Sequence, residues 1–341
     1  MTETIKYHLR VVPPKAATGT VRAIYRQISN DLLTVPEPFI IHSPVPDLLA
    51  GSWSIFRETL EAGEVPRGVK EAIATAVSAS NRCPWCVDAH TISLYATGHG
   101  TALADLADRE RRPSELAPLV RWGRASRLRN NRALTTPPFP MHDAAEYIGT
   151  AVTFHYLNRL VNALLIESPL PRSRWQRHVV QRGAALVLRG RMRRPVPSGE
   201  SLRFLPETEA GVPEDLGWTQ TSPPIAEAFA RFAAVADAAG ARVVPASVRE
   251  LVCDRLSVWD GADPGMSRAW LADVLRTLDL AFHPAARLLL PVAFASYQID
   301  EAVIAAFRAA HPGDDALVSA LVWGAFTTAR TIGSWLGLGS G

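Results

Sequence analysis

Apolar residues return at three- and four-residue intervals along most of the chain, the spacing that gathers them on one face of a helix. Val21, Ile24, Tyr25, Ile28 and Leu32 predict a first helix over Gly19 to Leu33, after an extended arm ending at Pro14. A proline-punctuated loop (36 to 46) containing His42 follows, and then a helix from about Asp47 to Ala62 carrying Leu48, Leu49, Trp53, Phe56 and Leu60. Val69, Ile73, Ala74 and Val77 set a third helix from Pro66 to about Asn81, and Pro84 opens a fourth that runs to about Ala96. Shorter helices are expected near 101 to 108 and 113 to 127, a loop at TPPFPMHD, and a long helix from Ala144 to Ile166. The fold class is all-α.

The pattern recurs. Residues 43 to 71 line up with 222 to 250 at constant offset, pairing Ser43 with Ser222, Pro66 with Pro245 and Glu71 with Glu250. One inserted residue later, Cys83-Pro84 falls on Asp263-Pro264, read as an N-cap followed by Pro, while Cys86 falls on Met266 and His90 on Trp270. The helix at Ala316 to Trp335 corresponds to that at Ala144 to Leu165, with Arg330 on Arg159 and Phe326 on His155. Two tandem helical repeats are expected, the second lacking the cysteines.

The chemistry sits between the third and fourth helices. In PRGVKEAIATAVSASNRCPWCVDAH, Glu71, Cys83, Cys86 and His90 follow the spacing E-x11-C-x2-C-x3-H. Pro84 at the first helical position makes Cys83 the N-cap and puts Cys86 in the first turn, where free N–H groups and the helix dipole favour negative charge. Both thiol pKa values are therefore expected to fall. His90, four residues after Cys86, lies one turn further along the same face, and Glu71 on the preceding helix could accept or relay a proton. Such a pair can cycle between dithiol and disulfide, and its thiolate can attack a peroxide O–O bond. Two other readings stand beside this one: three ligands of a zinc site, without a nearby second Cys/His pair to complete it, and two inert buried cysteines.

The spacing, the helix pair and the NRCPWCVDAH wording resemble the AhpD-like alkylhydroperoxidase branch of the carboxymuconolactone decarboxylase superfamily, with a flanking likeness from about residue 17 to 165. The resemblance implies an all-helical, oligomeric thiol peroxidase needing no metal or organic cofactor. It implies that Cys86 attacks a hydroperoxide, that Cys83, nearer the surface, resolves it as a disulfide and meets a dithiol protein reductant, and that Glu71 and His90 relay protons. Trp85 stands between the cysteines, where members often carry His, so a relay role for that side chain is missing here. The decarboxylase branch lacks the cysteine pair, which argues against lactone decarboxylation. Alternatives within the same fold are a protein disulfide reductase or redox adaptor, and a redox sensor without turnover. Glu250, kept in the copy that lacks the cysteine pair, shows that such a glutamate can be held for packing or a salt bridge, so Glu71 ranks below His90, and His90 below the cysteines.

Composition narrows the setting. With 341 residues, 48% of them hydrophobic and 20% charged, the chain is globular rather than disordered. Three cysteines, Cys253 isolated, are not a secreted disulfide framework, and neither a signal peptide nor a membrane span is recognisable, so a cytoplasmic protein is expected. The net charge of +3 is modest, and the arginine excess does not imply nucleic-acid binding. The segment from 167 to 205 nevertheless concentrates Arg172, Arg174, Arg177, Arg182, Arg189, Arg191, Arg193 and Arg194 among apolar residues. It reads as a basic amphipathic arm packed on a neighbouring domain, and a linker follows it. The expected organisation is an active repeat over residues 1–166, an Arg-rich connector over 167–215 and a degenerate repeat over 216–341. His155, Asn158 and Arg159 share one helical face that could approach the redox pair or Glu71, or simply satisfy a helix interface.

Overall fold

A computed structural model describes residues 4–7, 9–106, 113–208 and 211–337. It is built of α-helices: α1 (Gly19–Leu32), α2 (Glu37–Ile40), α3 (Pro46–Phe56), α4 (Arg67–Ser80), α5 (Pro84–Thr97), α6 (Ala102–Asp105), α7 (Ala117–Ala125) and α8 (Ala144–Leu164) precede α9 (Arg174–Leu188). The remainder comprises α10 (Pro223–Val243), α11 (Ala246–Ser257), α12 (Trp270–Leu275), α13 (His283–Phe294), α14 (Glu301–Ala310) and α15 (Asp314–Gly337). Among the described residues the only extended pairing outside helices is one bridge, Ile5 to Leu165. The predicted helices are present with shifted ends. Residues 107 and 108, expected at the end of the helix near 101 to 108, lie outside the described residues, and the proline loop contains the single turn of α2.

Two departures matter for function. The helix expected to run to Ala62 changes at Arg57 into a π-helical turn, Arg57–Glu61. Such widened turns rotate the side chains that follow. Second, no helix starts at Pro264: α12 begins only at Trp270, and Asp263 caps nothing. It instead accepts hydrogen bonds from the Tyr297 hydroxyl and the Gly265 N–H and pairs with Arg82, whose Nη2 is 2.9 Å from Oδ2. Both Asp263 oxygens are therefore committed to these partners instead of to a helix N-terminus.

One contiguous set of buried apolar side chains runs from Leu9 to Leu336. At its centre, α8 packs along α15 and α4, and α3 packs along α10. Gly51 on α3 makes the close approach to α10, since a Cβ there would overlap the Phe232 ring. Tyr156 on α8 meets Phe232 edge-on at 5.4 Å and Phe326 at 5.5 Å. His42, at 0% exposure, belongs to this core and hydrogen-bonds the Tyr156 hydroxyl at 2.6 Å.

Buried charges are paired, as the cost of an isolated one demands. Lys70 on α4 donates to Glu146 on α8 (2.8 Å) and to the Ala62 carbonyl. Glu146 also accepts the Glu64 and Val65 N–H groups, so the turn before α4 is clamped to α8. The connector is docked rather than free. Arg57 holds Asp31, Glu200 and the Pro197 carbonyl, Ser201 donates to Glu58, and α9 packs on α5, with Arg177 and Gln181 both donating to Asp88.

Candidate functional site

The α4–α5 hairpin builds the site. Asn81 closes α4 and Arg82 takes a left-handed conformation, φ 53°, to reverse the chain. Cys83 then occupies the N-cap of α5 with Pro84 next, and its N–H donates to the Ser78 carbonyl at 3.0 Å. Cys86 and His90 follow on successive turns, as the spacing predicts. Both cysteines are free thiols.

Glu71 meets His90 across the hairpin. The carboxylate is fully buried; its Oε2 accepts from His90 Nδ1 at 2.6 Å and its Oε1 from Arg67 Nε at 2.6 Å. Burial alone would raise this carboxyl, but the Arg67 guanidinium and the hydrogen bonds from Arg67 and His90 overcome it and hold the pKa down to about 2. With Nδ1–H committed to a carboxylate, the neutral ring carries its lone pair on Nε2. The ring is also braced, its plane meeting Phe154 edge-on at 4.4 Å.

The thiols are less alike than the sequence suggests. Cys83 is 1% exposed and Cys86 3%, so Cys83 is not the one nearer the surface. Nor does its pKa fall: burial pushes it well above the ordinary thiol value, and its hydrogen bond to Cys86 acts in the same direction. Desolvation of a thiolate here outweighs the N-cap position. Cys83 is thus held as a thiol, turned inward beside Asn158, which hydrogen-bonds it.

Cys86 and His90 face the other way, into a cavity of about 510 Å³. Its wall is largely apolar, formed by Leu32, Pro38, Phe39, Phe56, Trp85, Phe154, Leu157, Val161, Val187 and Leu188, with Glu61, Arg67, Asp31 and Arg191 as its charged members. Neither Cys83 nor Glu71 lines it. The four motif residues form a file: Glu71 behind, His90 and Cys86 on the wall, Cys83 inside.

Of the polar face on α8, only Asn158 reaches the pair. His155 is fully buried and bonds Asn81 and Ser126, while Arg159 is spent on the carbonyls of His155 and Ala293. Glu71 contacts none of the three. The positions that align with the motif form no equivalent file, because Met266 is 79% exposed and Glu250 is exposed while Glu71 is buried. Glu250 is therefore a poor control for Glu71. Among the described residues, no group of three or more His, Cys, Asp or Glu side chains converges to hold a metal, and no helix is long and apolar enough to cross a membrane.

Sequence reading missed Arg67 and Glu61. Arg67 had a signal, standing four residues before Glu71 on a helix. Glu61 had none, because only the π-turn brings it inward.

An all-helical fold carrying an E-x11-C-x2-C-x3-H file beside an apolar cavity defines a class, and the chain belongs to the carboxymuconolactone decarboxylase family, whose sequence profile matches residues 46–100. It is 40% identical over 333 residues, 97% of this chain and 94% of the relative, to the alkyl hydroperoxide reductase Rv2159c of Mycobacterium tuberculosis (strain ATCC 25618 / H37Rv). No solved structure matches the chain significantly.

Proposed function

We propose that the protein is a thiol-dependent alkyl hydroperoxide reductase in which Cys86 is the peroxidatic cysteine and Cys83 the resolving one. The observation that carries the reading is the file: the sulfur and imidazole that would react face an apolar cavity, while the resolving thiol and the carboxylate stand behind them. His90, oriented by Glu71, takes the Cys86 proton at Nε2. The thiolate attacks the distal oxygen of the hydroperoxide, leaving a sulfenic acid and releasing an alcohol. Cys83, adjacent and protonated, condenses with the sulfenic acid to give the disulfide and water. A dithiol protein reductant regenerates the pair, approaching through Arg82 and Pro84, which flank Cys83 and are exposed.

The same proposal places the reaction in the cytoplasm, where reduced dithiol proteins are maintained, and reads the assembly as a homo-oligomer, which light scattering would test. It also reads the chain as two tandem units. The packing of α3 on α10 and of α8 on α15, helices that correspond in sequence, supports that division.

The test counts free thiols and measures intact mass before and after one equivalent of alkyl hydroperoxide. Loss of two thiols with a decrease of two hydrogens is expected. Thiols that stay reduced in the folded protein would refute the reading.

A further inference from the structure

Glu61 is a buried acid that the reaction above does not use. Its side chain is 7% exposed, it lines the cavity with Cys86 and His90, and its Oε2 is paired with Arg67. Its Oε1 is buried with no hydrogen-bond partner among the described residues. Arg67 thus lies between two carboxylates whose situations differ. Glu71 spends both oxygens, on Arg67 and His90; Glu61 has one oxygen left over. An ionised, undonated carboxylate oxygen against an apolar wall is costly, whereas a protonated one becomes a donor.

Resting on the peroxidase reading, we propose that Glu61 is the general acid of the O–O cleavage step, giving its proton to the departing alkoxide oxygen. As the Cys86 lone pair forms the S–O bond, the O–O bond breaks and its electron pair leaves on the alkoxide. The Glu61 O–H protonates that oxygen, and the alcohol is released. Glu61, now a carboxylate, recovers the proton that His90 took from the Cys86 thiol, so a thiol and a hydroperoxide become a sulfenic acid and an alcohol with no proton gained or lost.

The surroundings fit a proton donor. Burial raises the Glu61 pKa against the pull of Arg67, and the negative charges of Glu71 and Asp31 raise it further; Lys70 also interacts with it, and Arg191 lines the same cavity. The π-turn at Arg57–Glu61 is the local feature that sets this side chain on the cavity wall. Two carboxylates on one arginine are thereby given opposite assignments, Glu71 ionised to orient the base and Glu61 protonated to serve as the acid.

Dependence on the leaving group tests this. Rate constants for thiol oxidation are measured by stopped flow with tert-butyl hydroperoxide, whose alkoxide needs a proton, and with peracetic acid, whose acetate does not. Glu61→Gln should lower the first by about 10²-fold and change the second by less than about threefold, collapsing their ratio. Glu61→Asp, which keeps the acid on a shorter arm, should give an intermediate ratio, and it carries the test alone if circular dichroism shows that the Gln variant does not fold. Equal losses with both peroxides, or an unchanged ratio, would overturn the assignment of Glu61 and leave the peroxidase standing. A wild type inert to both would overturn the peroxidase reading and this one with it.

Discussion

Replacing Glu71 with Gln is the most informative single perturbation of the file, because it removes a charge without changing shape. The amide stands in for the protonated carboxyl, so wild type and variant differ at neutral pH but converge as acid protonates Glu71. The carboxyl is held at about 2 against an ordinary 4.5, which at about 1.4 kcal/mol per unit is worth on the order of 3 kcal/mol of stability. A carboxyl with a depressed folded-state pKa contributes fully above its unfolded value, and that contribution is lost as the pH falls through 4.5 toward 2. Glu71→Gln should therefore be about 3 kcal/mol less stable than wild type at pH 7, with the gap shrinking steadily below pH 4.5. Urea titrations followed by circular dichroism from pH 7 to pH 3 read this directly. Titrating groups remote from Glu71 cancel in the difference between the two proteins; Glu61, whose carboxyl the Glu71 charge raises, does not. A gap that stays constant with pH would mean that Glu71 is not an ionised partner of Arg67 and His90, and the tautomer argument for His90 would fall with it. Hydroperoxide consumption should drop about 10²-fold in the same variant, since an imidazole without its orienting carboxylate is a poorly placed base.

Three further outcomes are expected. Cys83→Ser should react with one equivalent of alkyl hydroperoxide and stop as a Cys86 sulfenic acid, trapped by a dimedone-type reagent and seen by mass spectrometry, whereas Cys86→Ser should not react. Val161→Phe, on the α8 wall of the cavity, should raise the KM for cumene hydroperoxide about tenfold with a smaller effect on tert-butyl hydroperoxide; equal effects would mean that the cavity does not hold the organic group. Burial lowers the pKa of His42 from 6.5 to about 4, so this ring is neutral in the folded state and charges on unfolding. Stability should fall on the order of 3 kcal/mol between pH 6.5 and pH 4 through this group, His155 adding in the same direction, and His42→Gln should flatten the thermal-melting profile over that range.

The motif, the helix order and the N-cap position of Cys83 are legible in the sequence because each rests on local geometry: a helical period, a proline and a four-residue spacing. What escapes it depends on tertiary surroundings. A cysteine at a helix N-terminus reads as acidified until the structure encloses it at 1% exposure, and then desolvation decides the sign. The π-turn that sets Glu61 has no period that distinguishes it from the helix it interrupts. The matched Glu71 and Glu250 look equivalent in sequence, yet one is buried in an ion-paired file and the other faces solvent.

The C-terminal part of the chain, which lacks the C-x2-C motif, does structural work that the motif cannot do for itself. Arg82, the left-handed residue that presents Cys83, is held by Asp263 and lies over the Tyr297 ring at 4.7 Å. Asp263, the residue that aligns with Cys83, braces the turn before that cysteine. Behind the site, α8 carries Phe154, which steadies His90, and Tyr156, whose ring is enclosed by Phe232 and Phe326 from α10 and α15. Taking α10 and α15 away would expose Tyr156 and the α8 face that α15 covers, and burying a large aromatic side chain is worth about 1.5–3 kcal/mol. A half that keeps all four motif residues would then lack the support for the helix against which His90 is set. The motif residues all lie before α9, and the placement of the helix behind them depends on α10 and α15.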